Sequence, residues 1–542
     1  MGDDLVAGYR ALGCGDWELA RVNLVRAVES GGGPRAWEGL AEAARWLGDI
    51  RVTFAARERA CQLYREAGDD AAAARMATWL AYDSLTMRGD RAVAAGWFAW
   101  AHRLLESHPG SPERGWLAYR EGESAIVADS DPTRAIELGE FAAEVAGGHG
   151  LSDLRLVALA LRGLAEVAQG DVAGGMRCLD EAAAAALAGE VSAFHVAGTI
   201  YCHLVRACEW TRDLSRAAQW CDVALDLAGR WRADQLFGIC AHYAGVLIWR
   251  GRWEQAEQQL AVALRCLAAG APALGLEAAI RLAWLRCRQG RFNEAIELCD
   301  GLEWHPLAQL CLIEVALESG DLDHAGDLVD RHLRGLAPAD RLLRAPGLEL
   351  AVRVASARGD LHGARESLAV LEPIAAAVGT GSLRASQRFC SALVDARCGD
   401  LTAARTDLTD AADLWTREGA LYETAVVRRE LGAVLLGLGR PAAAAREWHA
   451  AQRAFAGLGA IQAAESVENL LNAQDATAPT RLSDREVQVL RLVADGLSDR
   501  EISARLAISP HTVHRHVANI RTKLDQPSRA AAVAHATRIQ LI

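Results

Sequence analysis

Along most of the chain apolar residues recur three and four positions apart, as at Ala256, Leu260, Ala263 and Leu264, the spacing of a helix with one buried face. No stretch sustains the alternation of a half-buried strand, so the pattern predicts an all-α protein. The helical stretches are broken by a Gly-Asp or Gly-Arg pair, usually followed by an apolar residue, with a small residue five positions after the glycine. This reads Gly15-Asp16-Trp17 with Ala20, Gly89-Asp90 with Ala94, Gly170-Asp171-Val172 with Gly175, and Gly251-Arg252-Trp253 with Ala256. It continues through Gly290-Arg291, Gly320-Asp321, Gly359-Asp360, Gly399-Asp400 and Gly439-Arg440, with Ala295, Ala325, Ala364, Ala404 and Ala444. Weaker copies stand at Gly48-Asp49, at Asp129 to Asp131 with Ala135, and at Arg212-Asp213-Leu214 with Ala217. Successive copies lie 30 to 42 residues apart, mostly close to 40.

A period of this length over most of a chain is the mark of a repeat architecture. The glycine ends one helix in a left-handed or tight turn, the chain reverses, and the small residue lets the next helix approach its partner closely. Each unit is then a helical hairpin, and neighbouring hairpins must stack to cover their apolar faces. Residues 1–472 resemble the tetratricopeptide-like solenoids, in the longer forty-residue variety found in bacterial regulators, with about 11 or 12 hairpins. The usual aromatic consensus survives only in fragments, such as Trp17, Trp253 and Phe292 just after the turn. Residues 473–481 are small, polar and proline-bearing and read as a linker.

The pattern changes after the linker. Ser483 and Glu486 form a capping-box pair ahead of Val487, Leu490 and Val493, and Gly496 stops that helix. A second box, Ser498 with Glu501, opens a short helix burying Ile502 and Leu506. Ser509 then caps a helix that starts at Pro510 and runs to about Leu524, with Val513, Val517, Ile520 and Leu524 inward and His511, His514, Arg515, Ala518, Arg521 and Thr522 outward. Asp525-Gln526-Pro527 breaks it, and Ser528 caps a final helix whose Ala531, Ala532, Ala534 and His535 give a small-residue surface suited to packing against a second copy. A short helix, a tight turn and a longer helix with a polar, basic outer face is the helix-turn-helix arrangement, which sets its second helix in the DNA major groove.

Residues 482–542 resemble the C-terminal DNA-binding domain of the LuxR-type regulators, a small four-helix domain. The resemblance rests on Leu482-Ser483, Arg485-Glu486, Val489-Leu490, Gly496 to Ser498, Glu501-Ile502, Leu506, Ile508-Ser509, Thr512-Val513, His516, Asn519-Ile520, Lys523-Leu524, Arg529 and Ala532-Val533. It implies that Thr512, His514, Arg515, His516, Ala518, Asn519 and Lys523 meet double-stranded DNA. Arg515 has the reach for a bidentate bond to guanine, and Ala518 offers a methyl to thymine. Thr512, Asn519 and Lys523 suit phosphate positioning, while His516 borders the apolar face and has a structural reading as well. This chain departs from the family at His514, where lysine or arginine is usual directly after Thr-Val.

Charge sharpens the division. The 542 residues carry a net charge of -12, yet residues 481–542 hold ten basic against six acidic side chains, so an acidic body bears a basic tail. Lys523 is the only lysine, a bias that reads as the composition of a GC-rich bacterial genome, and no phosphate-binding loop with its lysine can exist upstream. The 13 cysteines, scattered and odd in number, suit reduced thiols in a cytoplasm. The Met1-Gly2-Asp3-Asp4 start lacks the features of a signal peptide, and no apolar run reaches the ~20 residues of a membrane span. The group Cys202, His203, Cys208, Cys221, Cys240 and His242 has no compact metal-ligand spacing, so no metal and no cofactor is expected. The tryptophans near turns (Trp17, Trp249, Trp253, Trp448) read as packing, and Glu297 and Asp300 as solvated acids. Nothing arranges a nucleophile with its base, and an enzyme is not expected.

These readings converge on a cytoplasmic, sequence-specific transcriptional regulator. It would bind DNA as a homodimer, engage RNA polymerase as a further partner, and use its solenoid to sense a protein, peptide or small-molecule effector. The alternative is an interaction scaffold whose C-terminal module serves dimerisation.

Overall fold

The computed structural model describes residues 2–230, 237–268, 272–338, 340–477, 482–524, 526–539 and 541–542. Over these residues it is all-α, with 29 α-helices, one short π-helical turn at Ser84–Arg88 and no strand. Two compact units emerge, Met1–Ala463 and Ala464–Ile542. In the first, consecutive helices pair as hairpins, from Asp3–Gly13 with Trp17–Glu29 to Leu421–Gly437 with Pro441–Leu458, twelve in all among the described residues. The stretch read as a linker begins later than expected. Residues 473–477 are the last turn of the helix Ile461–Thr477, where the run Ala473-Gln474-Asp475-Ala476 is compatible with helix and the proline lies further on, and 478–481 fall outside the described residues.

The turn signature works as its chemistry demands. All ten turn glycines sit at φ between +71° and +105°. In the two weak copies that lack glycine, Ser130 (φ +53°) and Arg212 (φ +52°) take the same left-handed conformation, one that L residues other than glycine seldom occupy. The aspartate after the turn has a role beyond its charge. Asp16, Asp49, Asp131, Asp171, Asp213, Asp321, Asp360 and Asp400 each accept a hydrogen bond from the backbone N–H three residues on, capping the second helix of the hairpin. The small residues Ala20, Ala135, Ala217, Ala256, Ala295, Ala325, Ala364, Ala404 and Ala444 are all fully buried. At Gly175 the approach is closer still, since an added Cβ would collide with the carbonyl oxygen of Gly163 on the preceding helix.

Ion pairs join first helices one repeat apart. Arg75 bridges Glu38 at 2.8 Å and Glu113 at 2.9 Å, and Arg353 reaches Glu314 at 3.5 Å and Glu318 at 2.9 Å. Longer-range contacts show that the repeats wind back onto one another. Trp46 packs on Phe194 with ring centroids 5.3 Å apart, and Trp79 on His195 at 5.2 Å. Further along, Arg212 bonds Glu349 at 2.6 Å, Thr380 Oγ1 donates to Thr211 O at 2.6 Å, and Trp249 stacks on Trp415 at 5.7 Å. Arg288 pairs with Glu423 inside a box of Trp249, Trp284 and Tyr422. The first unit is therefore a helical-hairpin solenoid whose repeats also touch several repeats away.

The tryptophans, the cysteine-histidine group and the two acids singled out in the sequence have these surroundings. Trp448 Nε1 donates to Arg429 O at 2.9 Å, and Trp253 Nε1 to Ile248 O at 3.0 Å. Burial pushes the thiols of Cys208 and Cys221 up and holds His203 down to about 4. His242 Nδ1 lies 2.5 Å from Glu209, and the side chain of Cys240 is outside the described residues. Glu297 and Asp300 do not share a helix face, because the helix ends at Cys299, and both are exposed. No described group of three or more histidine, cysteine or acidic side chains could hold a metal ion, and no described helix is long and apolar enough to cross a membrane.

Two substitutions separate the capping from the packing. Asp400→Ala should cost about 1 kcal/mol through the lost cap, and Ala404→Leu about 1 to 3 kcal/mol through overpacking. Thermal and urea unfolding of the full chain measure both. A leucine accommodated at position 404 with no fall in melting temperature would refute the close-approach account.

Candidate nucleic-acid interface

After the helix Ile461–Thr477, the C-terminal unit carries four helices, α1 (Asp484–Ala494), α2 (Asp499–Leu506), α3 (Pro510–Lys523) and α4 (Arg529–Arg538). Both capping boxes form. Ser483 N–H donates to Glu486 at 2.7 Å and Ser498 N–H to Glu501 at 2.7 Å, with the serine hydroxyls accepting in return. Ser509 and Ser528 cap α3 and α4 through the N–H groups of Thr512 and Ala531, each at 3.1 Å. Gly496 (φ +84°) ends α1, and Ala507 (φ +52°) makes the sharp turn between α2 and α3. That second turn has no glycine to mark it in the sequence. Arg485 donates to Leu506 O at 2.7 Å and so satisfies a carbonyl at the end of α2.

The core under the recognition helix is Val489, Leu490, Leu492, Val493, Ile502, Val513, Ile520, Leu524, Ala532 and Ala536. It includes Val489 and Leu492, which the sequence reading passed over, and leaves Val487 and Val517 partly buried. The small-residue surface expected on α4 is correspondingly reduced. Ala532 is 1% exposed and packs into this core, while Ala534 is exposed and Ala531 and His535 are half-buried.

On α3, His511, His514, Arg515, Ala518 and Asn519 are exposed, and Thr512 and His516 are half-buried. His511, His514, Arg515 and Ala518 share one face by their three- and four-residue spacing. Thr512 Oγ1 lies 2.7 Å from the Ser509 hydroxyl, so this side chain completes the cap as well as facing outward. His516 has a buried Nδ1 with no hydrogen-bond partner among the described residues, in keeping with its place at the edge of the apolar face. Lys523 is engaged within the domain. Its Nζ lies 2.6 Å from Glu486 Oε2, tying the last turn of α3 to the first turn of α1. Arg521 donates to Pro527 O at 2.5 Å. Arg529 of α4 bonds Asp499 Oδ1 at 2.7 Å and also reaches Leu497 O, closing the start of α2. Asp499 Oδ2 in turn lies 3.7 Å from His514 Nδ1. Neither the Glu486–Lys523 nor the Asp499–Arg529 pair is visible as a sequence spacing, since the partners lie 37 and 30 residues apart.

Glu486 is 4% exposed. Burial pushes its carboxyl up, but hydrogen bonds from Lys523 and from Ser483 outweigh that and hold it below the usual carboxylate range. A carboxyl lowered in the folded state contributes stability that is present above its unfolded value and lost as pH falls through the folded one. Lys523→Met should therefore lower the melting temperature of the C-terminal unit at neutral pH, with a deficit that shrinks as pH is taken below about 4, where an unperturbed glutamate is protonated. A deficit that stays constant from pH 7 to pH 3 would rule out the ion pair as its source.

The family match to known proteins falls on this unit. Residues 480–536 match GerE, described as bacterial regulatory proteins of the luxR family. The nitrate/nitrite response regulator protein homolog of Haemophilus influenzae is 41% identical over 76 residues, 14% of this chain and 36% of that protein. The quorum-sensing regulator RhlR of Pseudomonas aeruginosa is 44% identical over 64 residues, 12% of this chain and 27% of that protein. The chain thus spans 36% and 27% of the length of these two relatives. Among solved structures, yeast Tom70 aligns at 14% identity with a TM-score of 0.33, covering 80% of this chain and 94% of that one. Four capped helices in this order over a shared core, and a family match that covers the first three and most of the fourth, identify residues 480–536 as a LuxR-type helix-turn-helix domain.

Proposed function

We propose that the chain is a sequence-specific DNA-binding transcriptional regulator, with the solenoid as the part that receives a protein, peptide or small-molecule effector. The observation that carries the first half is the two-sidedness of α3, apolar beneath and exposed with histidine and arginine above, in a domain of the luxR family. In this reading Arg515 reads a base edge, with His514 and Ala518 beside it. His516 and Asn519 lie at the edges of the contact, and Thr512 sits at the helix N-terminus where backbone phosphate is favoured. Lys523 acts on DNA only at the far end of α3, beside its pair with Glu486. A module this small offers little contact area, which favours a homodimer over half-sites about 34 Å apart. The relatives named above are called regulators, and the role proposed here is a cytoplasmic, non-catalytic one with RNA polymerase as a further partner.

The effector half rests on the build of the first unit. Stacked hairpins present extended surfaces from many repeats, the geometry that solenoids use to hold partners. Surface grooves are present between repeats, one of about 350 Å³ lined by Glu140, Arg155, Arg162 and Glu181 over a floor of Gly139 and Ala158.

Selection of duplexes from a randomised pool with the full chain tests the reading. Wild type should enrich one site, with an affinity that falls as salt rises because contacts to phosphate release counterions. Arg515→Ala should cost about 1 to 3 kcal/mol on that site and relax the preference at one base pair. Binding that no salt concentration alters, or enrichment of the same site with unchanged stringency by the Arg515 variant, would overturn the assignment.

A further inference from the structure

The recognition helix carries three permanent cations, and two of them are engaged away from its outer face: Lys523 on Glu486 and Arg521 on Pro527 O. Arg515 makes no hydrogen bond or ion pair among the described residues. The rest of the helix's basic character is histidine, at 511, 514 and 516. Histidine is the side chain type whose ordinary titration falls between pH 5 and 8.

His514 is the best placed of the three. Its side chain is 78% exposed, and it stands between His511 and Arg515 on the outer face. Its Nδ1 lies 3.7 Å from Asp499 Oδ2, and Asp499 is fixed by Arg529. The ring therefore has one nitrogen turned to α2, while Nε2 has no partner among the described residues. The charged groups around it are few. Asp499 faces it from α2, and Arg529 of α4 reaches Asp499 rather than the ring. His511 and Arg515 flank it on α3, and Glu486 of α1 is committed to Lys523 at the opposite end. A phosphate oxygen meeting Nε2 would favour the imidazolium, because an opposite charge stabilises the charged form.

We infer that DNA binding by this domain is linked to protonation of His514, with the Asp499–Arg529 pair as the positioning element that orients its ring. On binding DNA the His514 imidazole takes up a proton from solvent, so acidification tightens the complex and adds one phosphate contact. This rests on the DNA-binding reading above and goes beyond it by making the strength of binding depend on pH through one side chain.

The test uses the full chain and the duplex that it enriches from the randomised pool. Wild type should bind about five- to tenfold more tightly at pH 6 than at pH 8, the size expected if binding moves one histidine by about one pH unit. Its salt dependence should steepen at pH 6 by a slope of about 0.9, one phosphate. His514→Lys should bind at pH 8 with the wild-type strength of pH 6 and lose most of the pH response. His514→Gln should bind weakly at both, and His511→Gln should keep the response. Circular dichroism of each variant checks the fold, and His514→Lys, which retains a charge, provides an independent reading should the glutamine variant be unstable. A pH response that survives in His514→Gln, or vanishes in His511→Gln, overturns the assignment while leaving DNA binding intact. Absence of an enriched duplex at either pH would overturn the DNA-binding reading itself and this linkage with it.

Discussion

Each hairpin of the body depends on one backbone constraint, a left-handed residue placed one step before the helix cap and five before a side chain no larger than the gap between two helices. The positive φ reverses the chain within a few residues, an aspartate where one follows the turn caps an N–H that the reversal leaves free in eight of the hairpins, and the small residue sets how near the helices lie. Where the constraint is met without glycine, other contacts hold it. Arg212 is the clearest case, because its strained backbone belongs to a residue whose guanidinium bonds Glu349 and Ser386 four or more repeats away. A glycine there would relieve the strain and lose the tie, and strained conformations persist when their surroundings over-determine them.

The same economy of position places charge inside the solenoid. The Arg288 guanidinium is nearly fully buried, paired to one carboxylate and surrounded by three aromatic rings. Desolvating such a pair offsets most of its Coulombic gain, so its contribution lies more in selecting one winding of the repeats than in net stability. An unpaired Glu423 would be costly in any alternative stacking that separates it from Arg288. Buried rings such as Trp249 and Trp415 add area, and their stacking requires the same winding.

Much of this was legible in the sequence, and the boundary of legibility has a physical meaning. Turn glycines, buried alanines and capping serines are local devices whose partners lie within five residues, so their spacing reveals them. Half of the turns nevertheless escaped. Gly379, Gly419 and Gly459 are also left-handed and fall midway between the recognised copies, but no aspartate follows them and the forty-residue signature passes over them. Contacts between distant repeats left no trace, because nothing in the neighbourhood of Trp249 names Trp415 as its partner. In the C-terminal unit the family pattern pointed to Lys523 and Arg529 as a set of positions without saying what they touch. The structure shows both closing the domain on itself, through Glu486 and Asp499.

Those internal bonds determine which basic side chains the domain leaves uncommitted. Arg485, Arg521, Lys523 and Arg529 each hold a carbonyl or a carboxylate of the same unit. The basic side chains with no such partner among the described residues are Arg491, Arg500, Arg505, Arg515 and Arg538, and Arg515 alone of these lies on the recognition helix. Arg500 and Arg505 are exposed on α2, the first helix of the helix-turn-helix pair, which in other such domains crosses the DNA backbone. In the proposed role the two helices would divide positioning from reading, with Arg500 and Arg505 of α2 toward phosphate and Arg515 of α3 toward the bases. With so few permanent charges on α3 itself, and a net charge of -12 over the whole chain, non-specific attraction to DNA would be low in that role. In the proposed role such a domain would gain its affinity from the fit of α3 to one sequence rather than from attraction to any duplex.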